Sequence, residues 1–438
     1  MDKQEIAVFW FRRDLRVADN HGFYQALNSG KPVLPIFIFD THILNNLEQE
    51  DSRVSFILHE IQKLQALFEA KGSTLWIYHG TPVDAFRRLM AEYRFRTVFT
   101  NQDYEPYARE REKAVSGLLE AEGICLRLFK DQVIFHQTEV AKTDGTPYTV
   151  FTPYSKKWLS KLTEKDYQPF PSEKMLGNLF PTKPLKQYHH PDLGFRHGPY
   201  RVPPLKLGTG LLKAYAEKRD FPALNGTSRV GVHLRFGTVS IRKLTALAVK
   251  YSPVFLNELI WRNFYTAILW HFPYVARSAF KPAYDFIPWQ NPEKDFARWC
   301  EGTTGYPLVD AGMRELNATG YMHNRVRMVT ASFLCKHLLI DWHWGEAYFA
   351  EKLLDFELAS NNGGWQWAAG SGCDAAPYFR VFNPLLQQQK FDPELVYIKK
   401  WVPEYGSPAY PKPVVEHKAA RERAIRVYKD ALERGKAC

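Results

Sequence analysis

Two carboxylates, two adjacent amides, two adjacent glycines and two tryptophans share the stretch Leu353-Leu-Asp-Phe-Glu-Leu-Ala-Ser-Asn-Asn-Gly-Gly-Trp-Gln-Trp367. An amide side chain carries both donors and an acceptor, so Asn361 can hydrogen-bond a heteroaromatic ring however its edge is polarised. Glycines let a ligand come close to backbone, and indoles are large, oxidisable aromatic surfaces. A capped helix entering a tryptophan-rich core explains any one of these residues. It does not explain the whole set.

Two further clusters have similar chemistry. Asn257-Glu-Leu-Ile-Trp-Arg262 sets Glu258, Trp261 and Arg262 within one helical turn, a carboxylate beside an indole face suited to gripping a flat ring. Taken alone, the segment is better explained by a surface ion pair over a core tryptophan. His323-Asn-Arg-Val-Arg-Met328 places Asn324 and Met328 at i, i+4. Of its arginines, Arg325 and Arg327, one is free to reach a phosphate while the other pairs inward with a carboxylate such as Asp355. Further indoles stand in Asp341-Trp-His-Trp344 and at Trp289 in Ile287-Pro-Trp-Gln290. No Ser/His/Asp order, HExxH or paired-cysteine metal spacing occurs in this region.

These clusters need a scaffold, and the pattern predicts two kinds. Over 1–130, apolar runs at Ile6–Phe11, Val33–Phe39, Thr74–Tyr78, Thr97–Thr100 and Ile124–Leu128 read as buried strands alternating with helical patterns. Thr81-Pro82 is an N-cap followed by a first-turn proline. The alternation predicts a Rossmann-like α/β domain with a parallel sheet, although no GxGxxG or P-loop follows any strand. Residues 131–204 are rich in proline and read as a long connector, in which Tyr148–Trp158 is aromatic enough to pack against something. From 205 to 438 the apolar spacing is helical: Leu211–Arg219, Ile241–Tyr251, Leu256–Phe272, Tyr306–Leu316, His323–Leu339, Gly345–Leu354 and a closing surface helix, Glu416–Leu432.

Composition narrows the partner. The 438 residues carry a formal net charge of +11, which points to an acidic partner, nucleic acid first. The 12 Trp, 23 Tyr and 30 Phe imply a wide aromatic core or stacking surfaces. Five scattered cysteines read as reduced thiols. No leader precedes Ile6–Phe11 and no apolar run reaches membrane-spanning length, so a soluble cytoplasmic protein is expected.

The motifs together resemble the photolyase/cryptochrome family. Phe9-Trp-Phe-Arg-Arg-Asp-Leu-Arg16, Thr227-Ser-Arg229, Asn257–Arg262, Gly305-Tyr-Pro-Leu-Val-Asp310, Met322–Met328 and Asn361–Trp367 follow one another in that family's order and spacing. Asp374-Ala-Ala-Pro-Tyr-Phe-Arg-Val-Phe-Asn-Pro384 and Val414-Val-Glu-His-Lys-Ala-Ala-Arg421 extend the likeness over almost the whole chain. It is most similar to the class I type of cyclobutane pyrimidine dimer photolyases.

The resemblance implies an FAD folded inside the helical domain. Tyr215 and Thr227, Ser228, Arg229, Val230 and Gly231 would hold its phosphates and ribityl chain. Arg262, Arg327, Asp355 and Glu357 would line its polar side, and Asn361 would face N5. Trp365, Trp342 and Trp289 match the family's electron-transfer tryptophans. A dimer flipped from UV-damaged DNA would stack on Trp261 beside Met328 and bond Glu258 and Asn324. Arg219, Arg325, Arg380 and Gln387 would meet the DNA. Excited reduced flavin would lend the dimer an electron, the ring would open, and the electron would return.

Two departures stand out. The FAD loop reads Ser-Arg-Val-Gly-Val-His where many relatives have a serine and a proline, so Gly231 offers only its backbone to a phosphate. Tyr107-Ala108 replaces the Asn-Glu pair of folate-binding members, so a folate antenna is not expected; a deazaflavin, a second flavin or no antenna stay open. A monomer is expected. The alternatives are a cryptochrome photoreceptor signalling through a partner and a (6-4) photolyase. Asn361, Glu258, Trp261 and the absence of a long tail after Lys436 favour the dimer-repairing enzyme over the first. Asn324 and Met328 stand where the second group has histidines.

Overall fold

The computed structural model describes residues 4–435, which pack as two compact units, each built from separated stretches of chain. The first unit takes the chain up to Glu139, then Trp158–Leu205 and Val230–Lys250; the second takes Val140–Lys157, Lys206–Arg229 and the chain from Tyr251 onward.

The first unit is organised on a five-stranded parallel sheet of β1 (Glu5–Phe11), β2 (Val33–Asp40), β3 (Trp76–Gly80), β4 (Arg94–Asn101) and β5 (Cys125–Phe129), in the order β3-β2-β1-β4-β5. Along β1, alternate side chains bury in opposite layers. Ile6, Val8 and Trp10 join Ile36, Phe86 and Leu119 on one face. Phe9 and Phe11 pack on Phe23 and Phe68 on the other. A strand covered on both faces is the reason these runs read as continuous apolar stretches. The connecting helices are α1 (His21–Leu27), α2 (Ser52–Glu69), α3 (Pro82–Glu92) and α4 (Pro106–Ala121). Thr81 caps α3 by accepting from the Asp84 N–H, with Pro82 in the first turn.

A helical stretch far along the sequence, α5 (Ile241–Tyr251), contributes Arg242 to this unit. Its guanidinium donates to Asp19 at 2.8 Å and to Asp131 at 2.7 Å, while Arg16 pairs with Asp131 at 2.7 Å. Burial alone would raise the Asp131 carboxyl, but the two guanidiniums hold it well below the usual carboxylate range. This buried network explains why Val230–Lys250 packs with the sheet and why the contact units do not follow the contiguous segments 1–130, 131–204 and 205–438.

The second unit is helical. Its main members are α6 (Pro253–His271), α7 (Pro307–Thr319), α8 (Asn324–Ser332), α9 (Trp342–Lys352), α10 (Leu358–Ala369), α11 (Pro384–Phe391) and α12 (His417–Arg434). Ser252 caps α6 by accepting from the Phe255 N–H, and Pro253 opens it. Two glycines set how closely helices meet. A Cβ at Gly345 of α9 would lie 2.1 Å from the Trp365 ring, and one at Gly363 of α10 would lie 2.2 Å from the Tyr265 ring. Any other residue would push α9 off α10 or α10 off α6.

Two expected helices are interrupted. The pattern over His323–Leu339 gives α8 and then a π turn at Phe333–His337, where Leu338 N–H bonds the Phe333 carbonyl. The wider turn accommodates the buried Lys336, whose Nζ donates to the Tyr378 carbonyl at 3.0 Å and sits 4.1 Å over the Tyr428 ring. The pattern over Leu211–Arg219 gives two short helices, Thr209–Lys213 and Tyr215–Lys218, parted at Ala214, whose φ of −90° and ψ of 3° leave the helical values. No described helix is long and apolar enough to cross a membrane.

Candidate functional site

Within the second unit, α6, α8, α10 and the segment 353–357 enclose a cavity of about 440 Å³. The three clusters singled out in the sequence meet in its wall: Glu258, Trp261 and Arg262; Asn324, Arg325, Arg327 and Met328; Asp355, Glu357, Asn361 and Trp365. Residues about a hundred positions apart have therefore been brought onto one surface.

Four arginine–carboxylate pairs ring the space. Arg262 grips Glu357 with two bonds, of 3.0 and 2.6 Å, and Arg327 meets Asp355 at 3.0 Å. Burial would weaken the Arg327 cation, but the Asp355 charge outweighs it and raises its pKa. On the more exposed side, Arg219 pairs with Glu258, and Arg325 meets Asp220 at 2.7 Å. Planar guanidinium–carboxylate pairs of this kind hold fixed geometry as well as charge.

Trp261 forms an aromatic wall, and it is supported from behind. Phe151 stacks on it, ring centroids 3.6 Å apart and planes 4° apart, with Tyr265 at 5.5 Å. Phe151 is held by its own N–H, which donates to Asp374 at 3.0 Å. Sequence reasoning did not name Phe151, although the aromatic run from Tyr148 to Trp158 signalled packing. Opposing chemistry comes from Asn361, whose Nδ2 donates to the Glu346 carbonyl at 3.1 Å and to its carboxyl at 2.8 Å. With both N–H groups engaged on Glu346, the amide oxygen is what Asn361 offers the cavity. Burial pushes the Glu346 carboxyl up, though the Asn361 bond restrains it. Glu346, too, was missed.

Comparison with known proteins agrees with this geometry. A family model described as DNA photolyase matches residues 7–174, and one described as the FAD binding domain of DNA photolyase matches residues 255–409. The deoxyribodipyrimidine photo-lyase of Synechococcus sp. is 34% identical over 467 residues, covering 96% of each chain. This chain belongs to the photolyase/cryptochrome family.

Solved photolyases share the architecture. A bacterial class III photolyase from Agrobacterium tumefaciens superposes with a TM-score of 0.86 at 31% identity, over 99% of each chain. An archaeal photolyase from Sulfolobus tokodaii, described with two FAD molecules, superposes with a TM-score of 0.80 at 33% identity, over 97% of this chain and 100% of that one.

The photolyase cavity fits a flavin by its own chemistry. The Asp355 Oδ1 is buried without a hydrogen-bond partner, so the wall holds an acceptor waiting for a ring N–H. Gly364 lines the space, and an added Cβ there would have nothing within 4 Å, leaving room beside the backbone for a flat group. Trp365 is buried in the wall against Phe349 at 5.0 Å and Trp299 at 6.0 Å, its indole N–H unpaired.

The other residues expected from the resemblance lie outside this wall. Trp342 is buried beneath the His343 ring at 3.7 Å, and Trp289 is half-buried 5.9 Å from Tyr428. Tyr215 is buried against Phe255; Thr227 shares a 3.1 Å bond with Tyr321; Arg229 lies over the Tyr321 ring at 4.8 Å; Ser228 is half-buried. Val230 and Gly231 belong to the first unit, at the start of the short helix Gly231–Arg235. Arg380 is exposed on a turn closed by its own N–H to Pro377, and Gln387 sits on α11. At the sheet, Tyr107 donates to Asp40 at 2.7 Å and Arg111 pairs with the same oxygen at 3.3 Å. The residue that marked the departure from folate binding is thus tied to its own domain.

One cavity element is pH-sensitive. His323 caps α8 by accepting the Arg325 N–H at 3.1 Å, which requires an unprotonated ring nitrogen. Burial first, and then the Arg327 charge, lower its pKa from 6.5 to about 4. The folded pKa lies below the unfolded one, so the stabilisation is complete above about 6.5 and is lost as pH falls toward about 4. His323→Asn keeps a capping acceptor that does not titrate. Between about pH 7.5 and 5.5 the wild type is expected to lose about 1 kcal/mol more than the variant, measured from urea midpoints at the two pH values.

Proposed function

We propose that this protein is a light-driven deoxyribodipyrimidine photo-lyase that binds UV-damaged DNA and splits cyclobutane pyrimidine dimers into two pyrimidines. One observation carries the reading: an aromatic wall with a carboxylate, Trp261 and Glu258, shares a single cavity with a wall offering an unpaired buried acceptor, Asp355. The first suits an extruded pyrimidine dimer and the second a flavin edge. FAD, when bound and reduced, supplies on blue-light excitation the electron that opens the cyclobutane ring and takes it back afterwards.

The protein's own residues orient and protect this chemistry. Asp355 accepts the ring N–H, held in place by Arg327, while Glu357 and Arg262 fix the adjoining polar edge. Asn361 presents its amide oxygen, locked by Glu346. Tyr215, Thr227, Ser228 and Arg229 offer hydroxyl, guanidinium and backbone groups for phosphates. The dimer leaves the duplex at a cost of a few kcal/mol, least for a damaged and poorly stacked step. Trp261 stacks on it, Met328 packs beside it, and Glu258 and Asn324 bond its edges. Arg219, Arg325, Arg380 and Gln387 meet the backbone of the DNA, consistent with the +11 charge. The reading includes a monomer. It also includes the cytoplasm, in line with the unpaired Cys125, Cys300, Cys335 and Cys373.

Trp365, Trp342 and Trp289 serve as an oxidisable path outward from the cavity wall. Trp342→Phe is expected to slow light-driven flavin reduction by tenfold or more, followed by flavin absorbance under illumination with an external thiol. Repair by protein reduced chemically beforehand should be unchanged; loss of both would mean that Trp342 is structural. The function itself is tested with reduced holoprotein and oligonucleotides carrying a cyclobutane dimer or a (6-4) product. Thymines restored from the first in light and not in darkness support the reading. Repair of the second alone, or of neither, refutes it.

A further inference from the structure

Among the four ion pairs of the cavity, one differs in what it joins. The Arg262–Glu357 pair is shielded, its side chains only 11% and 10% exposed, and both partners face the flavin side. Arg327–Asp355, its side chains 25% and 20% exposed, also lies on the flavin side. Arg325 reaches the water-facing Asp220, whose side chain is 39% exposed and is not part of the cavity wall. Arg219 alone, a cation on the side assigned to DNA, is neutralised by a cavity carboxylate, Glu258, one turn from the stacking indole.

We infer that Arg219 is a specificity residue that changes partners: it pairs with Glu258 while no base is in the cavity, and is released to a DNA phosphate when a lesion base takes Glu258. The inference rests on the proposed function and deepens it. Glu258 is an acceptor-only group, and a pyrimidine carrying a ring N–H competes with the guanidinium for its oxygens. Arg219 is placed to leave. It stands just after the short helix Tyr215–Lys218, with its guanidinium 5.5 Å over the Tyr215 ring, and its side chain is 19% exposed. Undamaged duplex, which inserts no base, meets an arginine already neutralised and gains little from it. A lesion both fills the cavity and frees a cation for the backbone. By linkage, whatever strengthens the phosphate contact strengthens base binding by the same factor.

This exchange has a signature that mere structural support lacks. Each phosphate neutralised adds about 0.9 to the slope of log affinity against log salt. For the FAD-loaded wild type, the slope should be steeper by about one such unit on a duplex with a single thymine dimer than on the undamaged duplex. Glu258→Gln removes the charge that holds Arg219 but keeps a hydrogen-bonding side chain. On undamaged duplex its slope should rise to the wild-type lesion value, with binding several-fold tighter. Arg219→Gln should show equal slopes on both duplexes. Circular dichroism and flavin content establish that each variant is folded and loaded.

Equal slopes on the two duplexes in a wild type that still prefers the lesion would overturn the exchange while leaving the lyase reading intact. So would a Glu258→Gln protein whose undamaged-DNA slope stays at the wild-type value. Failure of the wild type to prefer lesion DNA at any salt would instead reject the lesion-binding reading itself, and the exchange with it.

Discussion

Asp355→Ala is expected to strip the protein of FAD. The substitution removes the unpaired acceptor in the wall and leaves Arg327 in a half-buried site without its 3.0 Å partner. Breaking a fully buried pair costs about 3–5 kcal/mol, and partial exposure lowers this to about 2–3 kcal/mol. That cost falls on the fold; the hydrogen bond that the carboxylate would accept from the ring N–H is worth about 1.5–3 kcal/mol, so affinity for FAD should fall roughly 10- to 150-fold. Asp355→Asn keeps an acceptor without the charge and should lose less. The measurement is flavin retained per protein after dialysis, with thermal unfolding of each apoprotein recorded separately. Full retention by the alanine variant would mean that the flavin edge lies elsewhere.

Trp261→Ala should cost most of the preference for damaged DNA. Stacking of a base on an aromatic side chain is worth roughly 1–3 kcal/mol, so lesion affinity should drop about 5- to 150-fold while undamaged-DNA affinity hardly changes. The effect should lie toward the lower end, because the truncation uncovers the parallel Phe151 ring 3.6 Å behind. Competition binding with matched duplexes reads the difference. Equal losses on both duplexes would show that Trp261 does not read the lesion.

How much of this was legible in the sequence depends on whether neighbours were local. The strands of the first unit were, since a sheet buried on both faces writes itself as apolar runs. The three clusters of the cavity were also legible, each lying within one or two helical turns, and so was an inward pair between Asp355 and one of Arg325 and Arg327. Longer-range choices were not. Arg262 follows Glu258 by one turn, yet it turns to Glu357, 95 residues away, while Glu258 pairs with Arg219, 39 residues before it. Arg242 draws its helix to the sheet by reaching Asp19 across 223 residues. Nothing in a periodic pattern encodes such partners. The π turn escaped for a related reason: Phe333–His337 keeps helical spacing, and the extra residue per turn serves Lys336, whose contacts at Tyr378 and Tyr428 lie far along the chain.

The central claim is that one cavity holds both the flavin and the dimer, so that the electron leaves and returns within it. The direct measurement is the number of thymine dimers repaired per FAD-loaded, reduced protein under blue light, with the flavin spectrum followed throughout and oxygen excluded. Many dimers should be split per protein, with the flavin still fully reduced at the end. Repair that stops at or below one dimer per protein while the flavin becomes oxidised, or no repair in light, would contradict it.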